Sequence, residues 1–362
     1  MKRRDFLRAA GAGLAASTIA APAIAQSMPE VKWRLAASWP KSLDTLFGCC
    51  EELSKRVAES SDNKFQIQVF AAGEIVPGLQ VLDSVQNGTV ELGNTAGYYY
   101  WGKDPSFAFT TAIPFGLNAR QQEAWLIRAG GLELLAPLFA DYGCHGIPMG
   151  NTCAQMGGWF RKEIKTVDDL KGLKFRIGGF AGKVIGKLGV VPQSIAPGDI
   201  YPALEKGALD AVEWIGPYDD EKLGFYKIAK YYYYPGWWEG GANGFLLVNA
   251  GKWNGLSKSY QAILTAAARE AGLNMTAKYD YLNPPAMRRL VANGTQLRAF
   301  SPEIMEASFK AANETYDEIG KANPRFKKIF DSLAAFRHDS YSWWQVCELT
   351  FDTFQVRMLN RA

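Results

Sequence analysis

The chain reads as an α/β protein built from two like lobes, and three observations predict this. Strand and helix patterns alternate along it, one such unit is echoed 119 positions later, and its 362 residues suffice for two separate cores.

The elements follow in order. Val31, Trp33 and Leu35 face one way, as in a half-buried strand. Ser42, a good N-cap, precedes a helical run from Leu43 to about Ser60. Phe65, Ile67 and Val69 mark a second strand, and Pro77-Gly78 a turn. A short helix then leads through Asn87-Gly88 to a strand at Val90–Ala96. Strands separated by helices predict a largely parallel sheet. The echo relates Leu82–Thr95 to Tyr201–Trp214: each is a helix, a Gly (Gly88, Gly207), then an apolar strand with a polar or aromatic end. Ligands in open α/β sheets bind beyond the carboxyl ends of strands, which puts Asn94-Thr95 and Glu213-Trp214 on opposite walls of a cleft. A long helical pattern at Leu256–Tyr279 is expected to end at Pro284-Pro285. From Pro302 onward the chain is mainly helical, interrupted at Pro324. Its last stretch carries Trp343, Trp344, Phe351 and Phe354, too apolar for a free tail, so it must pack on its own lobe or on a second subunit as a homodimer.

Residues 1–25 read as an address. Arg3-Arg4 ahead of Phe6-Leu7, an Ala/Gly-rich stretch and Ala23-Ile24-Ala25 match a twin-arginine secretory signal, cut before Gln26 and directing export to the periplasm. The apolar run falls short of the roughly 20 residues that a membrane span needs. This segment holds four of the 40 basic and one of the 36 acidic residues, which leaves 36 bases against 35 acids. So balanced a surface offers no footprint for nucleic acid. Five cysteines leave at least one unpaired, in no zinc, haem or redox spacing, and a Cys144–Cys153 bridge is permitted but not established. Two isolated histidines, His145 and His338, and no phosphate-binding glycine loop give enzymatic chemistry little support.

Three patches carry candidate chemistry. Gly97-Tyr98-Tyr99-Tyr100-Trp101 follows a strand, where tyrosines either pack or meet a polar ligand. Arg176 lies on the strand Lys174–Ile177, ahead of Gly178-Gly179. Its planar guanidinium suits a carboxylate, although a solvated or structurally paired arginine would look the same. Gly178-Gly179, with Gly182, also opens a helix whose amides could meet a carboxylate. Glu213 and Glu239 are acids in tryptophan-rich settings, either surface or salt-bridged residues or ligands for a cation.

Several stretches resemble the solute receptors of tripartite ATP-independent periplasmic (TRAP) transporters. They are Gly93 to Pro105, Met156–Arg161, Gly172–Arg176, Asp199–Leu204 and, above all, Ala211-Val212-Glu213-Trp214-Ile215-Gly216-Pro217-Tyr218-Asp219-Asp220, which is similar to the branch that binds 2-oxo acids. The resemblance covers the chain from signal to C-terminus. It implies a periplasmic binding-protein clamshell of two α/β lobes joined by crossing strands and a long inter-lobe helix, with a C-terminal helical extension. The lobes would comprise residues 26–153 with about 242–285, and 154–241 with about 286–330, followed by the extension at 331–362. It also implies that Arg176 takes the ligand carboxylate and that Na⁺ or, alternatively, Ca²⁺ bridges ligand and protein. Gln155, Glu213, the Trp214 carbonyl and Glu239 match the cation ligands, while Gln155, Trp214, Asn151, Tyr99 and Tyr100 match ligand contacts. Oxygen-only donors independently suit a hard cation. The function implied is capture of a small 2-oxo acid for TRAP permease membrane subunits. The alternatives are a 2-hydroxy acid receptor, a receptor that reports to a sensor kinase, and a twin-arginine-exported redox enzyme.

Overall fold

A computed structural model describes residues 29–359, so the signal segment lies outside the described residues. Two sheets organise the chain. The first contains β1 (Val31–Ala37), β2 (Phe65–Phe70), β3 (Leu92–Thr95), β4 (Cys144–Asn151) and β10 (Asn243–Asn249), in the order β2-β1-β3-β10-β4. The second contains β5 (Trp159–Phe160), β6 (Lys174–Arg176), β7 (Val191–Gln193), β8 (Ala211–Val212), β9 (Tyr231–Tyr234) and β11 (Gln296–Ala299), in the order β11-β9-β5-β8-β6-β7. The alternating residues expected to be buried in β1 and β2 face the core: Leu35 and Phe65 are fully buried.

The sheets are mixed rather than largely parallel. β1 pairs parallel with β2 and β3, but β10 is antiparallel to both β3 and β4, and β5 to both β8 and β9. The reason is the path of the chain. It leaves the first sheet from β4 into β5 and returns from β9 into β10, so the outgoing and returning strands run side by side in opposite directions.

Local expectations fail at three helices. The first begins at Leu46 rather than Leu43, with Thr45 at its N-cap. The Thr45 hydroxyl does not cap its own helix but donates to the Asp219 carboxylate at 2.8 Å, so a tertiary partner competes with the local one. The long helix continues through Pro284-Pro285 and spans Lys258–Ala292. Each proline forfeits a backbone hydrogen bond, at a cost of about 3 kcal/mol. Packing on both sides offsets it: Leu264, Ala271, Met275 and Tyr279 are buried before the prolines, Ala286 and Leu290 after them. The Asn283 side chain accepts from the Tyr218 amide at 3.0 Å, and Arg289 pairs with Glu221. Finally, the expected boundary at residue 331 falls inside the continuous helix Pro324–Val346, whose first half buries Phe326, Ile329 and Leu333.

The terminal helix Glu348–Leu359 buries none of its residues, and Trp343 and Phe351 are 65% and 61% exposed. Its apolar side chains therefore do not pack on their own lobe. All five cysteines are free thiols, Cys144 and Cys153 included. No helix among the described residues is long and apolar enough to cross a membrane.

A buried acidic joint ties the long helix to both halves. Asp219 accepts from Thr45 and from the Tyr279 hydroxyl at 2.7 Å, while Asp220 accepts from Trp159 Nε1 at 2.9 Å and the Tyr232 hydroxyl at 2.7 Å. Burial pushes the Asp219 carboxyl up to about 7 and that of Asp220 up to about 6, against the hydrogen bonds that favour their charged forms. Between about pH 4 and these values the folded chain holds protons that the unfolded chain has released, so these groups contribute stability at low pH and lose it as pH rises. Asp219→Asn should accordingly flatten the fall in Tm between pH 5.5 and 8 by a few degrees. Parallel melting curves for wild type and variant in calorimetry would contradict this.

Candidate functional site

The crossing strands place the first two site residues. The connection from β4 to β5 carries Gln155, and the connection from β9 to β10 carries Glu239. Their backbones bind each other: the Gln155 amide donates to the Glu239 carbonyl at 3.3 Å, and the Gly236 amide to the Gln155 carbonyl at 3.0 Å. The next two come from neighbouring parallel strands. Arg176 ends β6 and Glu213 follows β8, and the Glu213 amide donates to the Arg176 carbonyl at 2.9 Å. Topology thus gathers four residues that span 84 positions of sequence, from Gln155 to Glu239.

All four are buried; Arg176 is 1% exposed and Glu213 fully enclosed. Arg176 Nη1 donates to the Glu213 carbonyl at 2.5 Å and to Glu213 Oε2 at 3.2 Å, and Nε donates to the Ile195 carbonyl at 3.3 Å. The guanidinium lies 5.0 Å from the centre of the Trp214 ring, beside the Tyr99 hydroxyl.

The acids are less well served. Glu213 Oε1, both carboxylate oxygens of Glu239 and Gln155 Oε1 are buried without a hydrogen-bond donor. The Tyr98 hydroxyl and the Gln155 amide lie near enough to Glu239 to favour its charge, but neither completes a bond to it. The Gln155 amide nitrogen is instead spent on Thr152 Oγ1 at 2.9 Å, which leaves its oxygen aimed inward. Burial first, then the neighbouring Glu239, hold the Glu213 carboxyl well above the usual range, against the pull of Arg176. Burial likewise raises that of Glu239, opposed by Arg176. An unsatisfied buried acceptor costs about 1–3 kcal/mol, so four together are a standing demand for positive charge.

Oxygen-only donors fit a hard cation such as Na⁺ or Ca²⁺ and not zinc. Among the described residues there is no cluster of three or more His, Cys, Asp or Glu that would suit a transition metal.

In front of this cluster lies a cavity of about 30 Å³ between the two sheets. Tyr98, Tyr99, Gln155 and Trp214 line it, with Trp39, Asn94 and Thr152 opposite or beside them. Three expected ligand contacts, Arg176, Tyr100 and Asn151, are absent from its wall; Arg176 adjoins it only by way of Tyr99 and Trp214. The Tyr100 hydroxyl is bound at 3.1 Å to both Thr95 Oγ1 and the Leu82 amide, inside the core of the first half. The run Gly97–Tyr100 is a 3-10 turn, so successive tyrosines point about a third of a turn apart and cannot all face the cavity. Asn151 is occupied by Gln122 and by the Cys153 amide, both at 2.9 Å.

The tyrosine that takes this place is Tyr98, within the same run. Gly178 and Gly179 make room for it: a Cβ on Gly178 would stand 2.9 Å from its ring, and one on Gly179 2.5 Å from its carbonyl. These glycines thus serve close approach of the halves. Trp39 and Asn243 carry no local signal, because only the pairing of the first sheet brings them here.

The comparisons decide the lineage. The model of the bacterial extracellular solute-binding proteins, family 7, matches residues 35–323. The chain belongs to this family. It is a solute-binding protein of the TRAP type, not an enzyme, which sets aside the exported redox enzyme. It is 49% identical over 360 residues to the monocarboxylate 2-oxoacid-binding periplasmic protein of Nostoc sp., covering 98% of this chain and 99% of that one. A TRAP transporter solute-binding protein from Bordetella bronchiseptica, a dimer with calcium and picolinate in one site, is 49% identical with a TM-score of 0.91, covering 92% of this chain and 99% of that one. One from Pseudoalteromonas atlantica with bound sodium and pyruvate is 36% identical with a TM-score of 0.87, covering 89% and 98%. The clamshell of two α/β halves is therefore this solute-binding protein's fold.

Removing half of the buried negative charge should relieve the ion-free protein. Glu239→Gln is expected to unfold at a higher temperature than wild type in chelator and Na⁺-free buffer at pH 8. It should also lose most of the stabilisation that Ca²⁺ gives the wild type. Equal melting temperatures in chelator, with the Ca²⁺ response intact, would remove Glu239 from the cluster.

Proposed function

We propose that this solute-binding protein captures a small 2-oxo monocarboxylate through Arg176 and a bridging hard cation, and hands it to TRAP permease membrane subunits. The observation that carries the reading is the set of unsatisfied oxygens of Gln155, Glu213 and Glu239 beside the buried guanidinium of Arg176. With the Trp214 carbonyl these oxygens form one side of a coordination shell. A ligand that completes the shell needs two donor atoms, one of them a carboxylate oxygen that also reaches Arg176. Pyruvate and picolinate, bound in the two structural relatives, share that chemistry: each bears a second donor on the atom next to the carboxylate. A 2-hydroxy acid offers the same spacing with a weaker donor. Arg176 and two ionised glutamates sum to −1, and a carboxylate ligand makes −2. Ca²⁺ neutralises this outright; Na⁺ does so once one buried glutamate keeps its proton.

Residues 1–25 send the chain through the twin-arginine route, and the halves close about the paired connections that hold Gln155 and Glu239. The exposed helix Glu348–Leu359 and Trp343 pack across a two-fold axis in a homodimer.

Calorimetry with pyruvate tests the site in chelated Na⁺-free buffer, then with Na⁺ or Ca²⁺ restored. At least a tenfold gain is expected with one of the ions, and equal affinity in all three buffers would overturn the cation's role. Arg176→Lys keeps the charge but loses the fork, so affinity should fall at least tenfold, about 1.4 kcal/mol. Truncation after Ala335 should turn a dimer into monomers or aggregates in light scattering, and an intact protein already monomeric at micromolar concentration would exclude the dimer.

A further inference from the structure

The cavity has a second end, chemically unlike the first. Whereas Gln155 and Trp214 bound it on one side, Leu46, Ala96, Met149 and Met275 close it from the helix Leu46–Ser60, the five-stranded sheet and the long helix. These four side chains offer no hydrogen-bond donor, and Met149 and Met275 are buried. Met275 reaches the wall because the helix is drawn tight against β4 one turn earlier. A Cβ on Gly272 would stand 2.4 Å from the Gly150 amide nitrogen, and a Cβ on Gly150 would stand 2.5 Å from Met275 Cε. The thioether therefore packs directly on a glycine, where no side chain stands between it and the strand.

A space of about 30 Å³ holds roughly two waters, so a ligand tail directed at this end must displace wall atoms. Trp39, Ile215 and Ala96 are stiff, branched or short. The two methionines are unbranched, with three rotatable bonds and no polar group to desolvate, and so yield most readily.

We propose that Met149 and Met275, with Leu46 beside them, form a compliant apolar end wall that selects the ligand by carbon-chain length. The wall favours 2-oxo acids with a short unbranched tail over pyruvate. This rests on the 2-oxo acid reading above and names the residues that would set its range. Each methylene moved from water to this wall should tighten binding about three- to fourfold until the methionines can retreat no further.

The test is calorimetry in Ca²⁺ buffer with pyruvate, 2-oxobutyrate, 2-oxovalerate and 2-oxohexanoate. Wild type should bind 2-oxobutyrate or 2-oxovalerate at least threefold more tightly than pyruvate. Met275→Ala, and independently Met149→Ala, should move the tightest-binding length up by at least one carbon. A wild type that takes pyruvate as tightly as every longer acid overturns the end wall, whatever the variants do. Variants that scale all four acids by one common factor overturn it as well. A wild type that binds none of the four with cation present overturns the 2-oxo acid reading itself, which the first two outcomes leave standing.

Discussion

Two buried carboxylates beside a single guanidinium are the constraint around which the rest of this molecule is arranged. Water cannot screen them, Arg176 answers only part of their charge, and three of their four oxygens have no donor. Such a cluster is costly in isolation, since desolvation commonly exceeds what one buried ion pair returns. It persists because the scaffold over-determines it. β6 and β8 fix Arg176 against Glu213, and the backbone bonds between the two connections fix Gln155 against Glu239. The aromatic wall of Tyr98, Tyr99 and Trp214 then separates the cluster from bulk solvent. Stability is given up at this point, and positive charge brought into the cluster would restore it.

How much of this was legible in the sequence follows a physical division. Elements whose signal is local were readable: the alternation of Val31, Trp33 and Leu35, the apolar strand at Arg176, and the proline before the helix at Pro324. Position 213 stood out because an acid immediately after a strand and before tryptophan is unusual, and the motif around it pointed to the lineage. What failed depended on partners far away in the chain. The long helix survives Pro284-Pro285 because both of its halves are buried. Thr45 abandons its capping role for an aspartate 174 residues away. The choice among Tyr98, Tyr99 and Tyr100 turned on whether Gly97–Tyr100 forms a strand end or a 3-10 turn, and periodicity over four residues does not separate these. Asn151 was expected among the ligand contacts, but Gln122, on a helix of the first half, holds its amide. Mixed sheet topology was invisible for the same reason, since strand direction is set by where the chain crosses.

The joint between the halves has a consequence of its own. Gln155 and Glu239 do not merely sit near the connections; they are residues of those connections, held together by main-chain hydrogen bonds. A cation that drew their side-chain oxygens to a common centre would restrict the backbone torsions of both connections at once. Occupancy and stiffness would then be one variable. No relay of contacts would have to carry the news of binding from one half to the other, because the cluster and the connections share the same residues.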